Sequence, residues 1–253
     1  LSAVLDLPEV NFPALARNIS TGTQTLGGSA AFTVAQGTNV LTYCNNINEA
    51  EQGRFFMARN GDLTFQPRIG NTLSAAVADF HDDGTNIKYN TLGITFEADQ
   101  VVNRAVVQTL AGSPQTADDA ASQATYFIQT TSITNSLLND DTAALALATY
   151  LLDGEPVARY TSVGTAFNMV TSPQRDALAI VEIGDTITIE KTFASGTGTT
   201  ELAQELAIEG IEHTLTIGSG HSILLFTSPT VIVYELILDD AIYGILDADN
   251  VLG

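Results

Sequence analysis

The side chains here that could act as ligands, nucleophiles or proton carriers are three histidines, a single cysteine and a scatter of paired aspartates. His81, His213 and His221 form neither an HExxH nor an HxH pairing, so no spacing presents two imidazoles to a zinc ion. His213 alternates with apolar neighbours, which predicts a place in or beside a packed strand. His221 follows Gly218-Ser219-Gly220 and is predicted to be exposed. Cys44 is alone, which excludes an internal disulfide framework and any cysteine-based zinc or iron–sulfur centre. A serine hydrolase needs a GxSxG elbow to expose its nucleophile, and none occurs; Gly218-Ser219-Gly220-His221-Ser222 lacks the spacing. No GxGxxG or GxxxxGK[ST] loop offers backbone amides to a phosphate.

The carboxylates need a closer weighing. Asp82-Asp83, Asp118-Asp119, Asp140-Asp141 and Asp239-Asp240 are adjacent pairs. A glycosidase needs two carboxyls across a sugar cleft, usually walled by aromatics, and this chain has no Trp and only 7% aromatic residues. Adjacent aspartates more often cap helices and turns, and Asp140-Asp141 fits that role. Oxygen donors for calcium stand at Asp247-Ala248-Asp249-Asn250 and in the His81–Asn86 turn, but Val251 occupies the next ligand position of an EF-hand loop. Asn18-Ile19-Ser20 matches a glycosylation sequon and reads as chance. The residues therefore predict no catalytic, cofactor-binding or metal site, and a chain that is not an enzyme.

Composition narrows the class. The chain has 253 residues with 29 acidic and 9 basic side chains, a formal charge of −20. Charged residues are only 15% of the total, so the acidity comes from scarce Lys and Arg rather than from abundant Asp and Glu. Such a chain is no electrostatic nucleic-acid binder, which needs bases to neutralise phosphates. Residues 201–253 hold nine acids and no base, which reads as a solvated acidic face or as a surface that repels another polyanion. Apolar runs such as Ile223–Phe226 are strand-sized and none approaches the length of a membrane-spanning helix, so no membrane span is expected. Leu1-Ser2-Ala3-Val4 has no basic n-region and no initiator Met, so the expectation is a piece of a longer polypeptide rather than a signal peptide.

The elements follow from period and punctuation. Val40, Leu41, Tyr43, Cys44 and Ile47 recur at helical spacing, predicting a helix near 39–50 with Thr38 as its N-cap and Gly53 as its stop. Asn60-Gly61 then predicts a hairpin over 54–68, with Ala58 opposite Leu63, Phe56 opposite Phe65 and Arg59 opposite Asp62. Residues 69–91 read as polar and turn-rich. Extended segments follow at Gly93–Ala98 and Val101–Leu110, then a polar break at Ala111–Asp119 and a Thr/Ser-rich extended stretch. An alanine-rich helix near 140–153 ends at Gly154 and Pro156.

Beyond Pro156 the period becomes two. Ile187 and Ile189 are predicted inward, with Thr186, Thr188 and Glu190 outward. Ser195–Thr200 reads as a hairpin loop. The apolar phase slips at Gly210, between Leu206/Ile208 and Ile211/Leu215/Ile217, which predicts a β-bulge. The reading is an α+β, mainly β protein: an α/β domain over 1–155 carrying the helix and hairpin, then an antiparallel β-barrel or sandwich over 156–253 with a C-terminal tail.

Several of these segments carry a resemblance. Phe55-Phe56-Met57-Ala58-Arg59-Asn60-Gly61-Asp62-Leu63-Thr64-Phe65-Gln66-Pro67-Arg68 resembles the hairpin of tail hub or minor tail proteins of long-tailed phages, an aromatic strand followed by D/N-G, L-T-F and x-x-R. The helix at Asn39–Ala50 stands where theirs precedes it. Phe96–Arg104, with its Val101-Val102-Asn103, is similar to their next strand. The alanine-rich helix and Arg159 fall in the same order. Val181–Ile189 resembles their GD-x-V-x-V strand, Glu209–Leu215 their x-G-x-x-H-x strand, and Leu238–Asp247 their ending. His221–Phe226 departs from the Trp-Thr-Thr-Thr-Leu-like run often found in the last hub strand.

The resemblance implies a structural virion protein at the distal end of a phage tail. Three copies would form a ring that extends or closes the tail tube. The ring would contact distal tail or tube proteins and hold fibre or receptor-binding proteins, while DNA passes through its lumen without specific binding. It implies no catalytic residue and no cofactor. Two other classes fit the composition: a secreted or surface-associated acidic β-rich module, and an enzyme acting on cell-surface polysaccharide.

Overall fold

A computed structural model describes residues 1–27, 37–68, 76–96, 100–154, 156–195, 198–218 and 220–229, with two short strands at 234–235 and 250–251; at 195, 198–200 and those two strands the description is of the backbone. In chain order the elements are α1 (Ser2–Leu5), β1 (Arg17–Ile19), α2 (Val40–Glu51), β2 (Arg54–Met57), β3 (Leu63–Gln66), β4 (Ala78–His81), β5 (Thr91–Thr95), β6 (Arg104–Thr109), β7 (Gln115–Asp118), α3 (Ala120–Tyr126), β8 (Thr130–Ser136) and α4 (Asp141–Tyr150). Then come β9 (Arg159–Ala166), α5 (Ser172–Ile180), β10 (Thr186–Ser195), β11 (Gly198–Thr216), β12 (Gly220–Pro229), β13 (Tyr234–Glu235) and β14 (Asn250–Val251). The protein is mainly β with mixed sheets and flanking helices, the α+β class expected.

The chain folds into two units: Leu1–Arg68 with Phe96–Ala158, and Ile69–Thr95 with Arg159–Gly253. The single cut at 155/156 expected from the sequence therefore misplaces residues 69–95. Their assignment rests on non-local pairing, β4 along β10 and β5 along β9, which local periodicity does not register.

In the first unit, β1 runs parallel to β3, and β2 and β3 form the hairpin. Its register differs by one residue from the expected two-residue turn. Met57 pairs with Leu63, Phe56 with Thr64 and Phe55 with Phe65. Gly61 alone takes positive φ (88°), and its N–H donates to Ala58 O at 2.8 Å. Arg59-Asn60-Gly61 is thus a three-residue loop, with Gly61 in the left-handed position that lets the ladder resume at Ala58 N–H→Asp62 O. The N-cap of α2 is Asn39, not Thr38: its side chain accepts from Leu41 N and Thr42 N. Gln52 (φ 54°), not Gly53, makes the left-handed C-cap. Gly53 is required for another reason, since a Cβ there would lie 2.4 Å from Gln66 O.

The second sheet of this unit, ordered β7-β6-β8, has β6 parallel to β8. Parallel neighbours need a crossover, and α3, capped by Asp119 on Ser122 N–H, provides it where the sequence read only as extended. Ala105 and Val107 of β6, Ile47 and Ala50 of α2, Leu137, Leu138, and Ala144, Leu147 and Ala148 of α4 form the core. The alanines let α4 sit close to the sheet. Asp140 caps that helix by accepting from Ala143 N–H at 2.9 Å.

In the second unit one six-stranded sheet, ordered β4-β10-β11-β12-β9-β5, curls around a single core with α5. All its pairs are antiparallel except β4–β10. Ile187 and Ile189 point inward as expected, both fully buried. The phase slip is a bulge: pairing with β12 skips from Ile208 to Gly210. Among the described residues the sheet does not close into a barrel. After β4 the chain folds back beside it through one bridge, Phe80–Ile87, then Asn90 N–H donates to Gly164 O and β5 pairs with β9. Helix α5 has no counterpart in the sequence reading, although Thr171 and Gln174 form a capping box with Pro173 in the first turn.

Two tyrosines tie this core together. Tyr160, fully buried, donates its hydroxyl to Leu202 O at 2.7 Å, and Tyr89 donates to Glu190 O at 3.2 Å. Burial pushes both phenols up to about 12. Unfolded tyrosines ionise near 10, so this stability is fully present below pH 10 and is lost as the pH rises from 10 through 12. Denaturant titrations at pH 9 and pH 11.5 should show a fall in unfolding free energy that Tyr89→Phe reduces.

Candidate functional site

The residues singled out for chemistry are dispersed among structural tasks. Asp82 accepts from Lys191 Nζ at 2.6 Å and from Thr192 N–H at 3.1 Å, and these bonds, the lysine's first, hold its carboxyl below the usual range. Asp83 closes its turn by accepting from Thr85 N–H at 2.8 Å, which lowers its carboxyl too. Asp118 pairs with Arg104 Nε at 2.6 Å and is lowered mainly by that bond. Asp119 and Asp140 cap helices, and Asp141 accepts from Ser113 N–H at 3.2 Å. Among the described residues no group of three or more His, Cys, Asp or Glu side chains is gathered as for a metal ion. Asp239-Asp240 and Asp247–Asp249 lie outside the described residues, as do Thr197 and Ser219. Asn18-Ile19-Ser20 falls at β1.

Cys44 is buried in α2, and burial pushes its thiol up, away from the reactive thiolate. His81 Nε2 contacts the Glu190 carboxylate across the β4–β10 pair. The other two histidines reverse their expected environments. His213 is exposed, and His221 is half-buried with its ring stacked on Phe167 at 4.1 Å and 3°. The parity reading of His213 holds, since it shares a face with Ile211 and Leu215. That face runs past the end of the core, however, so solvent reaches it. His213 Nδ1 and His221 Nε2 lie 2.9 Å apart, and desolvation followed by the neighbouring imidazole lowers the His213 titration.

Two features carry more than local structure. The first is the outer face of β11. Leu202, Leu206, Ile208 and Ile211 point into the core, which leaves Glu201, Glu205, Glu209 and Glu212 exposed along one strand with no lysine or arginine between them. Glu209 sits at the bulge and accepts from Ser228 Oγ at 2.7 Å. The second is Asn103, fully buried at the start of β6. Its Nδ2 donates to Phe127 O at 2.6 Å and Ser122 Oγ at 3.2 Å, and its Oδ1 accepts from Gln129 N–H at 2.8 Å. This clamp is what Val101-Val102-Asn103 supplies; only the resemblance singled it out.

These elements define a two-unit, mainly β protein without an assembled catalytic constellation among its described residues, and that architecture recurs in proteins of phage tails. The chain superposes on the tail protein from Neisseria meningitidis MC58 with a TM-score of 0.56 and 12% identity, covering 92% of this chain and 66% of that one. It also matches the 43 kDa tail protein of prophage MuSo2 from Shewanella oneidensis, with a TM-score of 0.51, 12% identity, and coverage of 79% and 55%. The shared property is the fold, and this chain spans two thirds or less of each of those proteins. No protein-family model matches the sequence, and neither does any curated protein. No helix among the described residues is long and apolar enough to cross a membrane.

Proposed function

We propose that this chain is a structural protein of a phage tail, placed at the distal end, where three copies close into a ring that extends the tail tube. The observation that carries the reading is the shared fold, which extends over 92% of the chain in one tail protein and over 79% in a prophage tail protein. The ring contacts other tail proteins and surrounds the path of the DNA. The acidic face of β11 supports this. Duplex DNA carries about one negative charge per 1.7 Å, and a lumen rich in lysine and arginine would hold it by counterion release. Carboxylates such as Glu201, Glu205 and Glu212 repel the polymer over a Debye length of about 8–10 Å and keep it free to move. The role is assembly, not turnover.

Gold-labelled antibody against the chain, applied to purified phage particles, tests the placement. Label confined to the tip of the tail is expected. Label on the capsid, or particles lacking the chain altogether, overturns the reading.

A further inference from the structure

We infer that Phe127 and Ile128, at the turn between α3 and β8, form the anchor by which one copy of this chain grips the next, an assignment that rests on the ring reading above. Phe127 has φ 61° and ψ 178°, a region of backbone space that is essentially reserved for glycine. Yet the side chain held there is a large aromatic, 82% exposed, and Ile128 beside it is 55% exposed. A ring so exposed adds almost no burial to its own unit. The strain is held from below: the buried Asn103 amide donates to Phe127 O and accepts from Gln129 N–H, fixing the backbone on both sides of Ile128, and the side chains of Phe127 and Ile128 stand outward together. Ser122, which accepts from the same amide, ties α3 to Gly154 O at 2.5 Å and makes the support rigid. A strained, rigidly backed, exposed aromatic is pre-organised for contact, and aromatic anchors in such settings dominate interface energies.

Charge selects the occupant. The chain carries −20 overall, so two copies repel wherever their acidic surfaces meet. Residues 120–139, which include α3, the anchor and β8, contain no Asp, Glu, Lys or Arg. The ion pair in the same sheet, Arg104–Asp118, neutralises itself. A like-charged neighbour can dock there with little repulsion, because the nearest carboxylates are already engaged, Asp118 with Arg104 and Gln123, and Asp119 with the first turn of α3. The partner that fits is a second copy of this chain. Two residues are far smaller than the roughly 800 Å² a stable interface buries on each side, so they act as its energetic centre rather than its whole area.

Sedimentation equilibrium on the full 253-residue chain, with thermal unfolding in parallel, tests this. In Phe127→Gly the strain disappears with the side chain, so the unfolding midpoint should stay level or rise while self-association weakens about tenfold or more. Ile128→Ser should weaken association at an unchanged midpoint. If wild-type chains assemble and Phe127→Gly chains assemble equally well, the anchor is overturned and the ring reading stands. The anchor is equally overturned if Phe127→Gly chains assemble normally but lose binding to a different tail protein, or if their midpoint falls sharply, which would make Phe127 a packing residue. Wild-type chains that remain monomeric at every concentration overturn both.

Discussion

Replacing Asn103 with leucine should lower the stability of the first unit by about 2–4 kcal/mol and its thermal midpoint by roughly 5–15 °C. The side chain is fully buried and makes three hydrogen bonds, two of them to the backbone of the α3–β8 turn. Leucine matches its volume but leaves Gln129 N–H without its acceptor and Phe127 O without its donor. Each group is partly buried, and orphaning it costs up to about 1–3 kcal/mol. Release of the strained Phe127 backbone returns part of that sum, which is why the net loss falls below the simple total. This opposition gives the prediction a distinctive form. Phe127→Gly made in the Asn103→Leu background should be nearly neutral, because the clamp that imposes the strain is already gone. Chemical denaturation of the two single variants and the double variant checks it. A loss under about 0.5 kcal/mol for Asn103→Leu would show that the turn holds itself.

Tyr160→Ala should unfold the second unit at lower denaturant concentrations, with a loss of about 3–5 kcal/mol, the range for deleting a large buried aromatic. The position is more demanding than a ring in a core. Pairing between β5 and β9 skips Thr161, taking Gly93 to Ser162 and Ile94 to Tyr160. Beyond that irregularity the β9–β12 ladder has ended at Ser162. Side chains take over the backbone of Tyr160: Gln204 Oε1 accepts from its N–H at 3.0 Å, and Thr227 Oγ1 donates to its carbonyl at 2.8 Å. The ring holds this junction of β9, β11 and β12 in place. Tyr160→Phe keeps the ring and removes only the bond to Leu202 O, so it should lose about 1–2 kcal/mol. Equal losses for the two variants would contradict the packing account.

Much of the framework was legible because local chemistry dictated it. Asn60-Gly61 announced the hairpin, Asp140 announced α4, and the slip from Leu206/Ile208 to Ile211/Leu215 announced the bulge at Gly210. The hairpin register departs from the two-residue turn because Asn60 does not adopt positive φ, so the loop has three residues. Strand β4 leaves little local signature because its four residues lie in a polar stretch, with Ala78 and Phe80 alone facing the core. For α5 the local signal is Thr171-Ser172-Pro173-Gln174, a capping box with proline in the first turn. The histidines show a different boundary. Parity along β11 places His213 on the inner face, but no local pattern says where the core beneath that face stops. The anchor at Phe127 was invisible for the same kind of reason, since its conformation is imposed by an asparagine far earlier in the chain.

The central claim, a non-catalytic subunit that closes into a ring around the path of DNA, meets its most direct test in native mass spectrometry of the full chain combined with negative-stain images of the same sample. The account predicts a mass three times that of the 26.7 kDa chain and annular particles with an open centre. A compact monomer at every concentration, with no annular particles, would contradict it.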